Sequence, residues 1–219
     1  MDFRYLGLSG LKVSSYCLGT MTYGETTEEN DAHLQISEAF SSGINFIDTA
    51  EMYPTCPIRK ETSGETEKII GNWINNNKDK RKDIILATKV VGNGFKYIRN
   101  GGPITKETIK VALHGSLKRL KTDYIDLYQL HWPNRGSYHF RSYWNYKPEK
   151  QDSKNITDEF LDIINTLNDL KKEGLIRAIG VSNETCWGVM KLNEIIKEIE
   201  NLCIASIQNE YSLMCRLFD

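Results

Sequence analysis

The chain has no long apolar run and no cluster of cysteines and histidines. No stretch approaches the ~20 apolar residues of a membrane span, and residues 1–18 hold no apolar core of the length a signal peptide needs. The five cysteines are odd in number and fall into no CxxC or Cys/His ligand spacing. We therefore expect reduced thiols, no disulfide, no bound metal and a cytoplasmic location.

The chain also lacks an excess of charge of either sign. Its 28 lysines and arginines nearly balance 29 aspartates and glutamates, which gives a formal net charge of −1. No global field would recruit nucleic acid or an acidic membrane surface, so the expected partner is a small molecule held by local contacts. With 40% hydrophobic and 26% charged residues, the 219 residues are expected to form a single globular domain.

Apolar runs alternate with amphipathic segments along nearly the whole chain. The opening segment FRYLGLSGLKVS predicts a β-hairpin. Short apolar runs then predict six strands, at 16–20, 44–48, 83–90, 125–130, 176–181 and 204–208. Helical spacing predicts five helices, the first with Thr27 as its cap, at 27–42, 65–76, 106–120, 158–173 and 184–201. Strands and helices that alternate over short connections require a parallel sheet.

Such a sheet is either open and doubly wound or closed into a barrel. The turn after the first of the six strands, GTMTYGE, lacks the G-x-G-x-x-G pattern of an open dinucleotide-binding sheet. Polar residues instead occupy the carboxyl ends of five predicted strands, namely Asp48, Lys89, His131, Ser182 with Asn183, and Gln208. In a barrel these ends form a ring on the face that carries active sites, so we expect a TIM-type (β/α) barrel.

The residue types at these strand ends could form a pocket that delivers a proton. Tyr53 follows Asp48 past a bend and could bring its phenol back over the same strand end. An ammonium group at Lys89 would lower the pKa of that phenol, while Asp48 would keep the buried Lys89 charged. His131 could donate a hydrogen bond to a substrate oxygen. None of these groups supplies two electrons, so a reduction would need a cofactor that brings the hydride.

Each of these residues also has a structural explanation. Asp48 could be a turn residue, Lys89 a lysine whose stem lies on apolar surface, and His131 a buried structural histidine. The Ser-Asn pair at 182–183 could cap the following helix. Trp132 and the aromatic residues of the loop at 133–155 could form a substrate pocket or simply pack within the loop. Four such residues, Asp48, Tyr53, Lys89 and His131, are predicted on one rim, and this coincidence favours a shared functional site over four separate structural roles.

At these residues the chain resembles an aldo-keto reductase. The segments that carry the resemblance, in the order of the family's motifs, are FIDTAEMY, ILATK, DLYQLHW, GVSN and SIQNEYSL. LGTMTYGE, GNWI, SLKRLKTDYIDLYQLHWP and IGVSNET further resemble the branch of the family that contains bacterial Tas-like reductases and potassium-channel β-subunits. The resemblance covers essentially all of the chain.

The resemblance implies NADPH-dependent reduction of aldehydes and ketones to alcohols. It implies that Tyr53 is the general acid, that Asp48 and Lys89 tune it, and that His131 orients the carbonyl. Trp132 would contact the substrate. The implied cofactor contacts are Gly19, Thr20, Met21 and Asp48 at the nicotinamide ribose, and Ser182, Asn183 and Gln208 at the carboxamide.

The chain is short for this family. The family barrel has eight strands and about 250 or more residues, whereas about six strands are predicted here. We therefore expect a fragment of a longer protein or a degraded gene product, which binds NADPH weakly because the usual phosphate contacts are missing. Two other functions stay open: a nicotinamide-sensing regulatory subunit, and an inactive fragment that pairs its open edges with another chain. The motifs indicate neither the substrate nor the oligomeric state.

Overall fold

The structure is a computed structural model that describes residues 1–140 and 142–217. It opens with an antiparallel hairpin of two short strands, β1 (Phe3–Tyr5) and β2 (Lys12–Ser14). Six parallel strands follow, hydrogen-bonded in chain order: β3 (Cys17–Gly19), β4 (Phe46–Asp48), β5 (Ile85–Val90), β6 (Ile125–Leu130), β7 (Ile176–Ser182) and β8 (Ile204–Gln208). The hairpin and the parallel sheet that the sequence predicts are both confirmed.

One helix lies between each pair of consecutive parallel strands: α1 (Glu29–Ser41), α2 (Glu65–Asn76), α3 (Lys106–Leu120), α4 (Ser153–Lys172) and α5 (Cys186–Ile196). Short 3₁₀ turns occupy Lys78–Asp83, Arg99–Gly101 and Pro148–Lys150. Because consecutive strands are neighbours and each connection passes through a helix, the sheet curls into a half-barrel with the helices outside. This confirms the TIM-type architecture. None of the helices in the described ranges has the length and apolar character that crossing a membrane requires.

The register of the strands brings their carboxyl ends to one rim. Gly19 pairs with Asp48 between β3 and β4, and Lys89 pairs with Gln129 between β5 and β6. At the far side of the sheet, Ser182 at the end of β7 lies opposite Gln208 at the end of β8. Since the six strands run in the same direction, residues that end neighbouring strands lie side by side.

The apolar core has two parts, one on each face of the sheet. On the outer face, strand residues such as Leu86 pack against helix residues such as Leu113 and Ile164, all inaccessible to solvent. On the inner face, the hairpin residues Leu11 and Val13 pack against inward-facing residues of the strands, including Ala87, Leu127, Ala178 and Ala205. Both faces are therefore buried, which explains why the strands read as continuous apolar runs. The small alanines leave room for the hairpin at the end of the barrel remote from the rim.

Three helix starts differ from the sequence prediction, of which the start of α5, at Cys186 and not at residue 184, differs by only two residues. The first helix begins at Glu29, because the side chain of Thr27 forms a hydrogen bond with Thr22 Oγ1 (3.0 Å) and caps no helix. The fourth helix begins at Ser153, five residues before the predicted start. There the carboxylate of Asp152 accepts hydrogen bonds from the first backbone amides and starts the helix inside the predicted loop.

Candidate active site

The turn after β4 places Tyr53 beside the end of the neighbouring strand. Beyond Asp48 the chain keeps pairing with β5, since the amide of Thr49 donates to the carbonyl of Ala87 (2.9 Å) and the amide of Glu51 to that of Lys89 (3.2 Å). The amide of Tyr53 then closes a tight turn. Its carbonyl accepts a hydrogen bond from Gly64 (2.9 Å), just before α2. The backbone of Tyr53 is thus fixed on both sides, by its own amide and by its carbonyl, and this places the side chain at the rim.

The ammonium group of Lys89 lies between Asp48 and Tyr53. Its Nζ donates to Asp48 Oδ2 (2.7 Å) and to the carbonyl oxygen of Thr49 (2.9 Å), and it lies 3.5 Å from the Tyr53 hydroxyl oxygen. The side chain is 1% exposed. Because an ammonium group has three hydrogens, these three oxygens account for all of its donors.

The carboxylate of Asp48 is fixed by two further donors. Gln129 Nε2 donates to Oδ1 (3.2 Å), and Gln208 Nε2 donates to Oδ2 (3.0 Å). Sequence reasoning did not select Gln129. Its position on an inward-facing site of β6, in register with Lys89, was the signal that could have found it. Asp48 therefore serves here as the buried counterion of Lys89, and not as a turn residue.

The charges and burial of this group set its protonation. Burial is the largest influence and would lower the pKa of Lys89, but Asp48 and Tyr53 together outweigh it and raise the pKa, so the ammonium stays charged. Burial also raises the pKa of Tyr53, and the nearby Lys89 ammonium opposes this only in part. Lys89 thus lowers the pKa of the phenol in the expected direction, but burial raises it by more, so the pKa is not brought towards neutral pH. At neutral pH the phenol carries its proton.

His131 follows β6 and lies next to Tyr53. The two rings are in an edge-to-face arrangement with centroids 5.7 Å apart. Burial, and next the charge of Lys89, hold the pKa of His131 well below its usual range, so the imidazole is neutral. Its Nδ1 is buried and has no hydrogen-bond partner among the described residues. A neutral ring with an uncommitted nitrogen can form a hydrogen bond with a bound molecule.

The residues after β7 and β8 form the adjoining part of the rim. Asn183 Nδ2 donates to the carbonyl of His131 (2.9 Å) and to Ser182 Oγ (3.0 Å), and the Asn183 amide donates to the carbonyl of Gln208 (3.0 Å). The pair at 182–183 does not cap α5. Thr185 does so, accepting a hydrogen bond from the Gly188 amide (3.2 Å).

A cavity of about 800 Å³ opens at this rim. Its described wall includes eight of the residues selected from the sequence: Met21, Tyr53, Lys89, His131, Trp132, Ser182, Asn183 and Gln208. Gly19, Thr20 and Asp48 are not among the described residues of the wall. Gly19 ends β3 opposite Asp48, and the buried Thr20 donates its hydroxyl hydrogen to the Asp48 carbonyl (2.8 Å). These two residues therefore hold the backbone of Asp48 in place from the end of β3.

Aromatic side chains form much of the cavity wall beside His131. Trp132 lies edge-to-face with Phe95 (6.1 Å between centroids) and with Phe140 (5.8 Å), and its indole nitrogen donates to the carbonyl of Asn93 (3.2 Å). Trp132 is therefore a wall residue as well as a packing residue. Phe140 belongs to the loop at 133–155, whose aromatic residues the sequence left as either pocket wall or loop packing, and it lines the cavity. Phe95 was missed, because it comes from an irregular loop in which no periodicity indicates which side chains face inward.

The family model "Aldo/keto reductase family" matches residues 16–219. The chain is 42% identical to Protein tas of Escherichia coli (strain K12) over 222 residues, which cover 100% of this chain and 62% of that protein. It is 34% identical to Uncharacterized oxidoreductase YrpG of Bacillus subtilis (strain 168), covering 99% and 60% of the two chains. It is 29% identical to Norsolorinic acid reductase B of Dothistroma septosporum (strain NZE10 / CBS 128990), covering 90% and 46%.

The chain is shorter than each of these relatives. It spans about three fifths of the length of the two bacterial proteins and about half of the fungal one. The family match extends from the first strand of the parallel sheet onward and includes every residue of the rim described above. The chain belongs to the aldo/keto reductase family.

Proposed function

We propose that this chain carries the catalytic group of an NADPH-dependent carbonyl reductase, with Tyr53 as the general acid. The observation that carries the proposal is the position of the Lys89 ammonium, 2.7 Å from Asp48 Oδ2 and 3.5 Å from the Tyr53 hydroxyl oxygen, in the wall of the large cavity. Relatives whose names contain oxidoreductase or reductase support redox chemistry in general. The substrate would be an aldehyde or ketone, and the product an alcohol.

Tyr53 would deliver a proton to the carbonyl oxygen as that oxygen gains negative charge. Its raised pKa keeps the proton on the phenol until it is needed. As the proton leaves, the phenolate forms beside the Lys89 ammonium, and the attraction between the two lowers the energy of that state. Asp48 holds the ammonium in place and charged. A bound nicotinamide would supply the hydride that the carbonyl carbon receives.

His131 would orient the substrate. Its unpartnered Nδ1 is buried, and its ring lines the same cavity as Tyr53. Neutrality suits this role, because a neutral imidazole can donate one hydrogen bond to the carbonyl oxygen without competing as a proton source. Trp132, next in the chain, would form the adjoining apolar surface for the organic part of the substrate.

The nearby polar wall is suited to a carboxamide. Ser182, Asn183 and Gln208 present a hydroxyl and two amide groups, and a carboxamide offers two donors and one acceptor of matching type. Gly19, Thr20, Met21 and Asp48 would lie on the ribose side of the nicotinamide. The preference for NADPH over NADH rests on the family resemblance alone.

The experiment is a comparison of Tyr53→Phe with Tyr5→Phe, which removes an exposed phenol from the hairpin. NADPH affinity is measured by calorimetry, and reduction of an aromatic aldehyde is followed by loss of NADPH absorbance. We expect Tyr53→Phe to lose activity by about 10²–10⁴-fold, the usual contribution of a general acid, with NADPH affinity retained. Tyr5→Phe should match the wild type. A Tyr53→Phe rate above about a hundredth of the wild-type rate contradicts the role of Tyr53.

The same assay separates the competing functions. Tight NADPH binding without turnover of any carbonyl would favour the nicotinamide-sensing regulatory function. Loss of both binding and turnover in a folded wild-type chain would favour the inactive fragment.

A further inference from the structure

A second cavity, of about 380 Å³, lies outside the sheet. Its described wall comes from the loop after β4, the loop after β5 and helix α3, and it shares no described residue with the larger cavity. This volume is in the range of pockets that hold small molecules. The proposed reduction makes no use of it.

Cationic groups outnumber carboxylates in this wall. Lys60, Arg99 and Arg119 line the cavity together with one acid, Glu51. That acid is already neutralised. Arg99 donates to both of its oxygens (2.5 and 2.7 Å), and the Val91 amide donates to Oε1 (2.5 Å). Arg119 is likewise paired with the buried Glu67 (2.7 Å). Among the described residues of the wall, Lys60 is therefore the cation without an ion-pair partner.

Arg119 has donors to spare. Its Nε donates to the buried Glu67 (2.7 Å) and its Nη2 makes a long contact with Ser116 Oγ (3.4 Å), while Nη1 donates to none of the described residues. Two glycines leave space beside it. A Cβ at Gly64 would lie 3.0 Å from Arg119 Cδ, and one at Gly115 would lie 3.1 Å from Nη1. Gly64 also has a φ of +85°, which favours glycine.

Hydroxyl groups add neutral donors. The Tyr97 hydroxyl is buried and has no hydrogen-bond partner in the described part of the chain. Burial, and next the Glu61 carboxylate, raise the pKa of Tyr97, so the phenol keeps its proton. Ser63 also lines the cavity. A buried donor without an acceptor is costly, and a bound anion would relieve that cost.

The geometry points to a binding site for a small phosphate monoester in this cavity. Lys60 supplies the unpaired charge, Arg119 supplies the free Nη1 donor of an already paired guanidinium, and Ser63 and Tyr97 supply hydroxyl donors. Several donors of different chemistry around one small space suit a tetrahedral dianion with three terminal oxygens better than a planar carboxylate with two. Ile98, Val111 and Ala112 form an apolar side of the wall against which the organic part of the ester would pack.

The test uses phenyl phosphate, titrated by calorimetry into the full chain without nicotinamide cofactor. Lys60→Gln removes one charge-assisted contact and should weaken binding about tenfold or more. Tyr97→Phe should weaken it about threefold or more. Glu61→Gln removes the neighbouring negative charge and should strengthen binding. Lys78→Gln is the matched control, because Lys78 is also an exposed lysine but does not line the cavity, and it should leave the affinity unchanged.

Opposite changes of affinity at two adjacent residues cannot come from unfolding. Weaker phenyl phosphate binding by Lys60→Gln together with stronger binding by Glu61→Gln therefore supports the site. Phenyl phosphate affinity that is the same in Lys60→Gln as in Lys78→Gln overturns it, since binding would then occur elsewhere. Benzoate binding as tightly as phenyl phosphate overturns the assignment to a phosphate. Lack of any binding by the wild-type chain overturns the site altogether. None of these outcomes depends on carbonyl reduction, because the two cavities share no described residue.

Discussion

Replacing Asp48 by asparagine tests the charge pair at the centre of the site. The side chains of Asp48 and Lys89 are 8% and 1% exposed, and Asp48 Oδ2 lies 2.7 Å from Lys89 Nζ. Asparagine keeps the shape of the side chain but removes its charge. One of its two oxygen positions becomes an NH2 group that cannot accept, so either Gln129 or the pair Lys89 and Gln208 loses its acceptor. Leaving a buried charge without its partner costs about 3–5 kcal/mol. That is a large part of the about 5–15 kcal/mol by which a domain is stable.

The cost should depend on pH with a definite sign. In the wild type the pKa of Lys89 is raised in the folded state, so its stabilising contribution is complete below the ordinary value of 10.5 and is lost as the pH rises through the folded value. In Asp48→Asn, burial acts without the opposing carboxylate and lowers that pKa. The folded variant then releases the proton more readily than the unfolded chain. The variant should therefore gain stability relative to the wild type as the pH rises towards 10.5.

Urea unfolding at about pH 7 and about pH 9 measures both the loss of stability and its dependence on pH. The proteins compared are the wild type, Asp48→Asn, Lys89→Met and the double variant. The double variant removes the stranded charge, so its loss of stability should be smaller than the sum of the two single losses. Asp79→Asn, at an exposed acid, is the control and should change stability by less than about 0.5 kcal/mol. A loss below about 1 kcal/mol in Asp48→Asn, or one that is the same at both pH values, would refute the reasoning.

Two further predictions concern single residues. Nitrogen-15 NMR of the imidazole should show His131 neutral from about pH 8 down to about pH 6, because its pKa is held well below the usual range; a titration with a midpoint near 6.5 would contradict this. Gly71→Ala should destabilise the chain by about 1–3 kcal/mol in urea unfolding, since its Cβ would lie 2.0 Å from the Arg119 carbonyl oxygen and force α2 away from α3. Gly102→Ala is the control, because its Cβ would meet only one atom, at 3.4 Å, and the change should cost little stability. Equal losses of stability in Gly71→Ala and Gly102→Ala would refute the packing argument.

The sequence determined the order and type of the main elements. The bounds predicted for α2, α3, β6 and β8 coincide with those of the structure. Each of these segments has an apolar pattern of the right period and ends at a local change of composition. At α4 and α5 the predicted start was wrong, because a capping residue that the apolar pattern does not indicate sets it. The carboxylate of Asp152 starts α4 early, and Thr185 starts α5 later than the predicted residue 184.

The sequence also indicated which residues share the rim, because polar residues at the ends of parallel strands must lie side by side. Only the tertiary structure decided how they act on one another. The direction of the Tyr53 pKa shift follows from burial by surrounding loops, which outweighs the nearby Lys89 charge. The aromatic wall of Phe95 and Phe140 and the cavity around Arg119 join segments far apart in the chain. Such contacts are set by packing between elements, and no periodicity within one segment records them.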